Sequence, residues 1–122
     1  MARVLVCEDE PDILALIATR LEREGYSVTT AADGDEGLRK ALEQLPDLLL
    51  VDWMMPGLSG LEVCSALRAH PEASRTRVLM LTARAQQSDI DAAFAAGVDD
   101  FIIKPFRSGE LQQRVADLLA RT

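Results

Sequence analysis

Leu48-Leu49-Leu50-Val51-Asp52-Trp53-Met54-Met55-Pro56-Gly57-Leu58-Ser59-Gly60 reads as a strand, a turn and the start of a helix. Its first four residues are apolar without alternation, the pattern of a strand buried on both faces of a parallel sheet. The run stops at an acid, Pro56 and Gly57 then mark a turn, and Ser59 is a suitable N-cap for a following helix. Val78-Leu79-Met80-Leu81 repeats the apolar character. These two runs mark the expected centre of a sheet.

Outward from them, five short apolar runs alternate with five amphipathic stretches, the sequence form of a parallel sheet covered by helices on both faces. The expected strands are Arg3 to Cys7, Ser27 to Thr30, Leu48 to Asp52, Arg77 to Leu81 and Asp100 to Ile103. The first helix begins at Pro11, carries Ile13, Leu14, Ile17 and Leu21 on one stripe, and ends at Gly25. Asp33 or Asp35 opens the second and Pro46 closes it; Ser59 caps the third, which runs to about Ala69 before Pro71. The fourth starts near Ser88 or Asp89 and ends at Gly97 as a left-handed cap. Ser108 and Glu110 open the fifth, whose inner stripe is Leu111, Val115, Leu118 and Leu119. The fourth helix offers only Ile90 and Phe94 as large apolar residues, so a weak attachment to the sheet is expected there.

Composition narrows the classes. A length of 122 residues suits one domain, 1–122, rather than two marginal cores. Thirteen basic against twenty acidic residues leave a net charge of -7, with the basic ones scattered, which argues against a direct nucleic-acid surface. No apolar run approaches the roughly 20 residues of a membrane helix, and MARVLVCEDE turns acidic before a signal-peptide core could form, so a cytoplasmic location is expected. Cys7 and Cys64 have no metal or redox spacing and read as small buried hydrophobes, while His70 reads as a surface residue.

Ligands of parallel α/β sheets bind beyond the carboxyl ends of the strands. Glu8-Asp9-Glu10 follows the first strand, Asp52 ends the third, Thr82 follows the fourth, and Lys104-Pro105 follows the fifth. In the flavodoxin-like order 2-1-3-4-5, a doubly wound (βα)5 sheet, strands one and three are neighbours and Glu8, Asp9 and Asp52 converge. Two carboxylates roughly 5 Å apart repel by about 3 kcal/mol at an effective dielectric of 20, so raised pKa values or an offsetting cation is needed. Lys104 supplies one, and oxygen-only ligands with positions left for water and phosphate suit Mg²⁺ as a second. Asp52 would then be the nucleophile forming an acyl phosphate, with Lys104 and the Thr82 hydroxyl binding the other phosphoryl oxygens. Taken singly, each of these residues is equally a helix cap or turn residue.

Glu8-Asp9, the run Asp52 to Gly60 matching DxxMPxxxG, Thr82-Ala83, and Phe101-Ile102-Ile103-Lys104-Pro105-Phe106 together resemble the response-regulator receiver domains, the CheY-like family. The resemblance covers Arg3 to about Ala120. It implies a two-component phosphoacceptor in which Asp52 takes a phosphoryl group from a sensor histidine kinase or phosphotransfer protein, a reaction that the receiver itself promotes without being a conventional enzyme. It also implies that Asp9 and Asp52 bind Mg²⁺ directly, Glu8 through water and Met54 through its backbone carbonyl. Thr82, Ala83 and Lys104 would bind the phosphoryl group. A cis peptide between Lys104 and Pro105 is implied as well.

For signalling, the resemblance implies that Thr82 moves toward the phosphoryl group while Phe101 turns inward, a two-state element that switches the face of the fourth helix, fifth strand and fifth helix. Met54 and Arg84 stand at positions that tune phosphate lifetime, and Met54 has no group to orient an attacking water. Thr82-Ala83-Arg84, Asp99-Asp100, Glu110, Arg114 and Arg121 are similar to receivers of winged-helix transcription regulators, which pair symmetrically through that face. Ile90 stands where those receivers usually carry a basic residue. A flavin-binding domain would need a phosphate cradle where CEDEPD stands, and a Mg²⁺-dependent phosphatase would need its acid pair on the first strand. The remaining alternative is the receiver segment of a longer regulator or hybrid kinase.

Overall fold

The computed structural model describes residues 1–84 and 86–121. Its strands are β1 (Arg3–Cys7), β2 (Ser27–Ala31), β3 (Leu48–Asp52), β4 (Arg77–Thr82) and β5 (Asp100–Ile103). Between and after them come α1 (Pro11–Arg23), α2 (Gly34–Gln44), α3 (Gly60–Arg68), α4 (Gln87–Ala95) and α5 (Ser108–Leu119), with a short 3-10 turn at Pro71–Ala73. All strands are parallel, in the order β2-β1-β3-β4-β5. The expected doubly wound sheet is therefore the observed one.

Alternation along the strands divides the core in two. Val4, Val6, Leu48, Leu50, Leu79 and Leu81 face one way, onto Ile17 and Leu21 of α1 and Leu111, Val115 and Leu118 of α5. Leu5, Leu49, Val51, Val78 and Met80 face the other, onto Val63, Cys64 and Leu67 of α3 and Ala41 of α2. Every residue of β3 is buried, which explains the unbroken apolar run ending at Asp52. Both thiols are sealed in the second layer: Cys7 donates to the Asp33 carbonyl at 3.1 Å and Cys64 to that of Ala96 at 3.4 Å. Burial first, then the nearby carboxylates led by Asp33, pushes the Cys7 thiol up to about 12. Burial pushes Cys64 up to about 11, with Arg68 opposing and Asp99 adding.

Local signals explain most boundaries. Asp33, not Asp35, caps α2, accepting the Glu36 N–H at 2.8 Å. Ser59 and Glu62 form a reciprocal capping box at the start of α3. Gly25 and Gly97 have φ of 94° and 100° as left-handed helix stops. The Lys104–Pro105 peptide is cis.

Two strand ends and the anchor of one helix differ from expectation. β2 and β4 each run one residue further, to Ala31 and Thr82, because the parallel ladders continue to Cys7↔Ala31 and Thr82↔Ile103. α4 starts at Gln87, ahead of Ser88, after an N-cap Gln86 with no side-chain cap. Its buried anchor is Ala93, whereas Phe94 is 45% exposed and Ile90 only partly covered. A small residue buries little area, so apolar anchoring of α4 to the sheet is slight among the described residues. Arg68 offsets part of this by joining α3 to the α4–β5 turn, donating to the Gly97 carbonyl at 3.0 Å and to Asp99 at 2.9 Å.

Gly60 has a packing role. A Cβ there would collide with the Asp52 carbonyl and press on the Trp53 Cα, so only glycine lets α3 begin against the end of β3. Gly60→Ala is expected to lower unfolding stability by about 1–3 kcal/mol, the usual cost of overpacking, read as a drop in the urea midpoint. Gly109→Ala, where an added Cβ meets nothing within 4 Å, should instead stabilise the chain by about 0.5–1 kcal/mol through helix propensity.

Candidate functional site

The carboxyl ends of β1, β3 and β5 bring an acidic cluster and one amine together. Glu8 directly follows β1, and its side chain is fully buried because β1 is an inner strand between β2 and β3. Asp52 closes β3 at 6% exposure. Asp9, one residue further along the loop, is more open to solvent. One carboxylate oxygen from each of Glu8, Asp9 and Asp52 lies within 4.8 Å of the others. Lys104, entering after β5, places Nζ 3.1 Å from Asp52 Oδ1 and 3.2 Å from Glu8 Oε1. The Asp9 N–H donates to Glu8 Oε2 at 3.0 Å.

One ammonium does not neutralise this cluster. Burial first, and then the hydrogen bond and charge of Asp52, push Glu8 up to about 7 against the opposing pull of Lys104. Lys104 itself is shifted upward: burial works against its charge, but Asp52 and then Glu8 outweigh that cost. The site therefore holds more negative charge than its own cation offsets. An oxygen-only donor set with surplus negative charge fits a hard divalent cation.

The other sequence-predicted residues surround this cluster in distinct ways. Thr82, at the end of β4, is buried, and its hydroxyl accepts the Arg84 N–H at 2.8 Å. Ala83 is exposed beside it. Met54 lies past Asp52 with its side chain 65% exposed. Phe101 is not in the cluster: it packs edge-on against Phe94 of α4, with centroids 5.8 Å apart and planes at 73°. His70 is a surface residue as expected, its Nδ1 3.3 Å from Glu72. Sequence reasoning missed the seat of Arg84, whose guanidinium carbon lies 4.7 Å from the Trp53 ring centroid. Only the β3–β4 register, Asp52 opposite Leu81, brings those two loops side by side.

Residues 4–116 match the model of the response regulator receiver domain. The chain belongs to that family. This receiver is 44% identical over 121 residues to the phosphate regulon transcriptional regulatory protein PhoB of Rhizobium meliloti, covering 99% of this chain and 53% of that protein. The chain thus spans about half the length of the curated relatives it matches. Among solved structures, the chemotaxis response regulator CheY4 of Vibrio cholerae superposes with a TM-score of 0.92 at 32% identity, covering 97% of this chain and 98% of that one. The receiver domain of a sensor histidine kinase from Pseudomonas aeruginosa PAO1, with magnesium coordinated in its active-site cleft, does so with a TM-score of 0.90 at 33% identity, covering 98% of each chain. Among the described residues of the receiver, no helix is long and apolar enough to cross a membrane.

Glu8 makes receiver stability depend on pH. Its proton affinity is raised on folding, so the folded state gains stability below the ordinary carboxylate range and loses it as pH rises through about 7. Without divalent cations, Glu8→Gln is expected to raise the melting temperature by several degrees at pH 8 and change it little at pH 5. A scan of thermal unfolding against pH checks this.

Proposed function

We propose that this chain is the phosphoacceptor switch of a two-component pathway, with Asp52 as the residue phosphorylated. The observation that carries this reading is the sharing of one ammonium, Lys104, between Asp52 and Glu8 at the carboxyl edge of the sheet, at 3.1 and 3.2 Å. An Asp52 oxygen attacks the phosphorus of a phosphohistidine on a sensor kinase or phosphotransfer protein. The new bond is O–P, the broken one N–P, and the electron pair leaves on the imidazole. Lys104 stays within reach of both the attacking carboxylate and an incoming phosphoryl oxygen. The Thr82 hydroxyl and the Ala83 backbone N–H complete the set of donors.

Asp9 and Asp52 would hold Mg²⁺ directly, Glu8 through water and Met54 by its carbonyl. When bound, the ion offsets the surplus charge of the cluster and spreads that of the transferring group. Beside Lys104, the residues Ile13, Leu16, Pro105 and Phe106 line an apolar groove suited to a docking phosphodonor protein. The chain promotes its own phosphorylation and dephosphorylation without acting as a conventional enzyme.

The output is a shift of the face formed by α4, β5 and α5, controlling a partner or output domain of a cytoplasmic regulator. Phe101 turns in from Phe94 as Thr82 moves to the phosphoryl group. Symmetric pairing through this face fits its charges, since Arg114 bridges Asp100 at 2.9 Å and approaches Glu110 at 3.9 Å. Exposed pairs of this kind contribute little singly, so Ile90 in place of a basic residue need not prevent dimerisation.

Trp53 fluorescence should respond to millimolar Mg²⁺, with the response lost in Asp9→Asn. Phosphorylation by a small phosphodonor should be lost in Asp52→Asn; retained incorporation in that variant would overturn the assignment. Met54→Asn is expected to speed dephosphorylation several-fold by orienting a water at the phosphoryl group, as read from the decay of radiolabelled phosphoprotein.

A further inference from the structure

Arg84 lies in the turn between β4 and α4, 49% exposed, yet its side chain is held from two directions. The guanidinium rests over the face of Trp53, the neighbour of Asp52, at 4.7 Å from the ring centroid. One of its nitrogens lies 3.0 Å from Asp89 in the first turn of α4. Its backbone N–H donates to Thr82 Oγ1 at 2.8 Å, and that hydroxyl lies 3.4 Å from the Arg84 carbonyl. The Thr82 hydroxyl therefore faces its own loop and makes no hydrogen bond to the acidic cluster among the described residues. Arg84 links the acceptor strand, the Thr82 turn and a helix that buries only Ala93.

We propose that Arg84 is a positioning residue that latches the receiver in its phosphate-free state. Its contacts to Trp53 and Asp89 hold the β4–α4 turn where the Thr82 hydroxyl points at Arg84, and they are released when Thr82 reaches for a phosphoryl oxygen. This rests on Asp52 being the acceptor. A cation on an indole face and a half-exposed ion pair together bias such an equilibrium by about three- to thirtyfold. A ligand of the switched state must overcome that bias, so its apparent affinity improves by the same factor once the latch is removed. If Arg84 were instead one more cation for the phosphoryl group, removing it would weaken binding. The two roles differ in sign.

The test is a titration of the 122-residue chain with beryllium fluoride, a phosphoryl mimic, in saturating Mg²⁺, with occupancy followed by fluorine NMR so that the changed environment of Trp53 does not enter. Arg84→Met should bind about three- to thirtyfold more tightly than wild type, with Arg84→Lys in between. Asp89→Asn should tighten binding by a smaller factor and add nothing in the Arg84→Met background, because it acts through Arg84. Mg²⁺ affinity measured without beryllium fluoride should be the same in all variants. Unchanged or weaker binding by Arg84→Met overturns the latch, as does a gain matched by a change in Mg²⁺ affinity. Wild-type protein that binds Mg²⁺ but takes up no beryllium fluoride overturns the acceptor assignment, and the latch with it. Wild type that binds normally while Arg84→Met gains nothing overturns the latch alone.

Discussion

The burial of two carboxylates, Glu8 and Asp52, against a single ammonium, Lys104, is the constraint around which the fold is arranged. A charge in the interior is tolerated only when paired. Here the three groups come from three strands, so the pairing exists only if β1, β3 and β5 stop at the same edge of the sheet. Gly60 lets α3 start against the Asp52 carbonyl, and the cis peptide at Pro105 follows Lys104 at once. The imbalance of two acids to one base is retained in the folded state as the raised proton affinity of Glu8.

Around this rigid edge the molecule is graded in firmness. β3 is wholly buried and α3 is fastened by its capping box and by Arg68. By contrast, α4 rests on Ala93, on an edge-on aromatic contact between Phe94 and Phe101, and on Asp89 through Arg84. Each of the latter contacts contributes on the order of 1 kcal/mol. Helix α4 is held by contacts that can be exchanged one at a time.

Much of this was legible in the chain because the governing patterns are local. LLLVD declares a strand buried on both faces, Ser59 declares a helix start, and the residues at the ends of the first, third, fourth and fifth strands declare the candidate site. What stayed hidden depends on approach between distant segments. The β3–β4 register seats Arg84 on Trp53, and nothing in either loop announces the other. Choosing Ala93 over Ile90 and Phe94 as the anchor of α4 needs the distance between helix and sheet, which hydrophobicity alone does not supply. Convergence of Glu8, Asp9 and Asp52 reads in sequence as a need for a cation or raised pKa values, but that Glu8 is the acid raised appears only once burial removes water and brings Asp52 alongside.

Cys7 and Cys64 are both sealed within the same layer of the core, with their thiols held far from ionisation. Thiolates, not thiols, react with peroxides and disulfides. The two native thiols of the folded receiver are therefore poor nucleophiles. A cysteine introduced on the surface of α4 would be the sole reactive thiol of the chain, so a label could be attached to that helix with both native cysteines left in place.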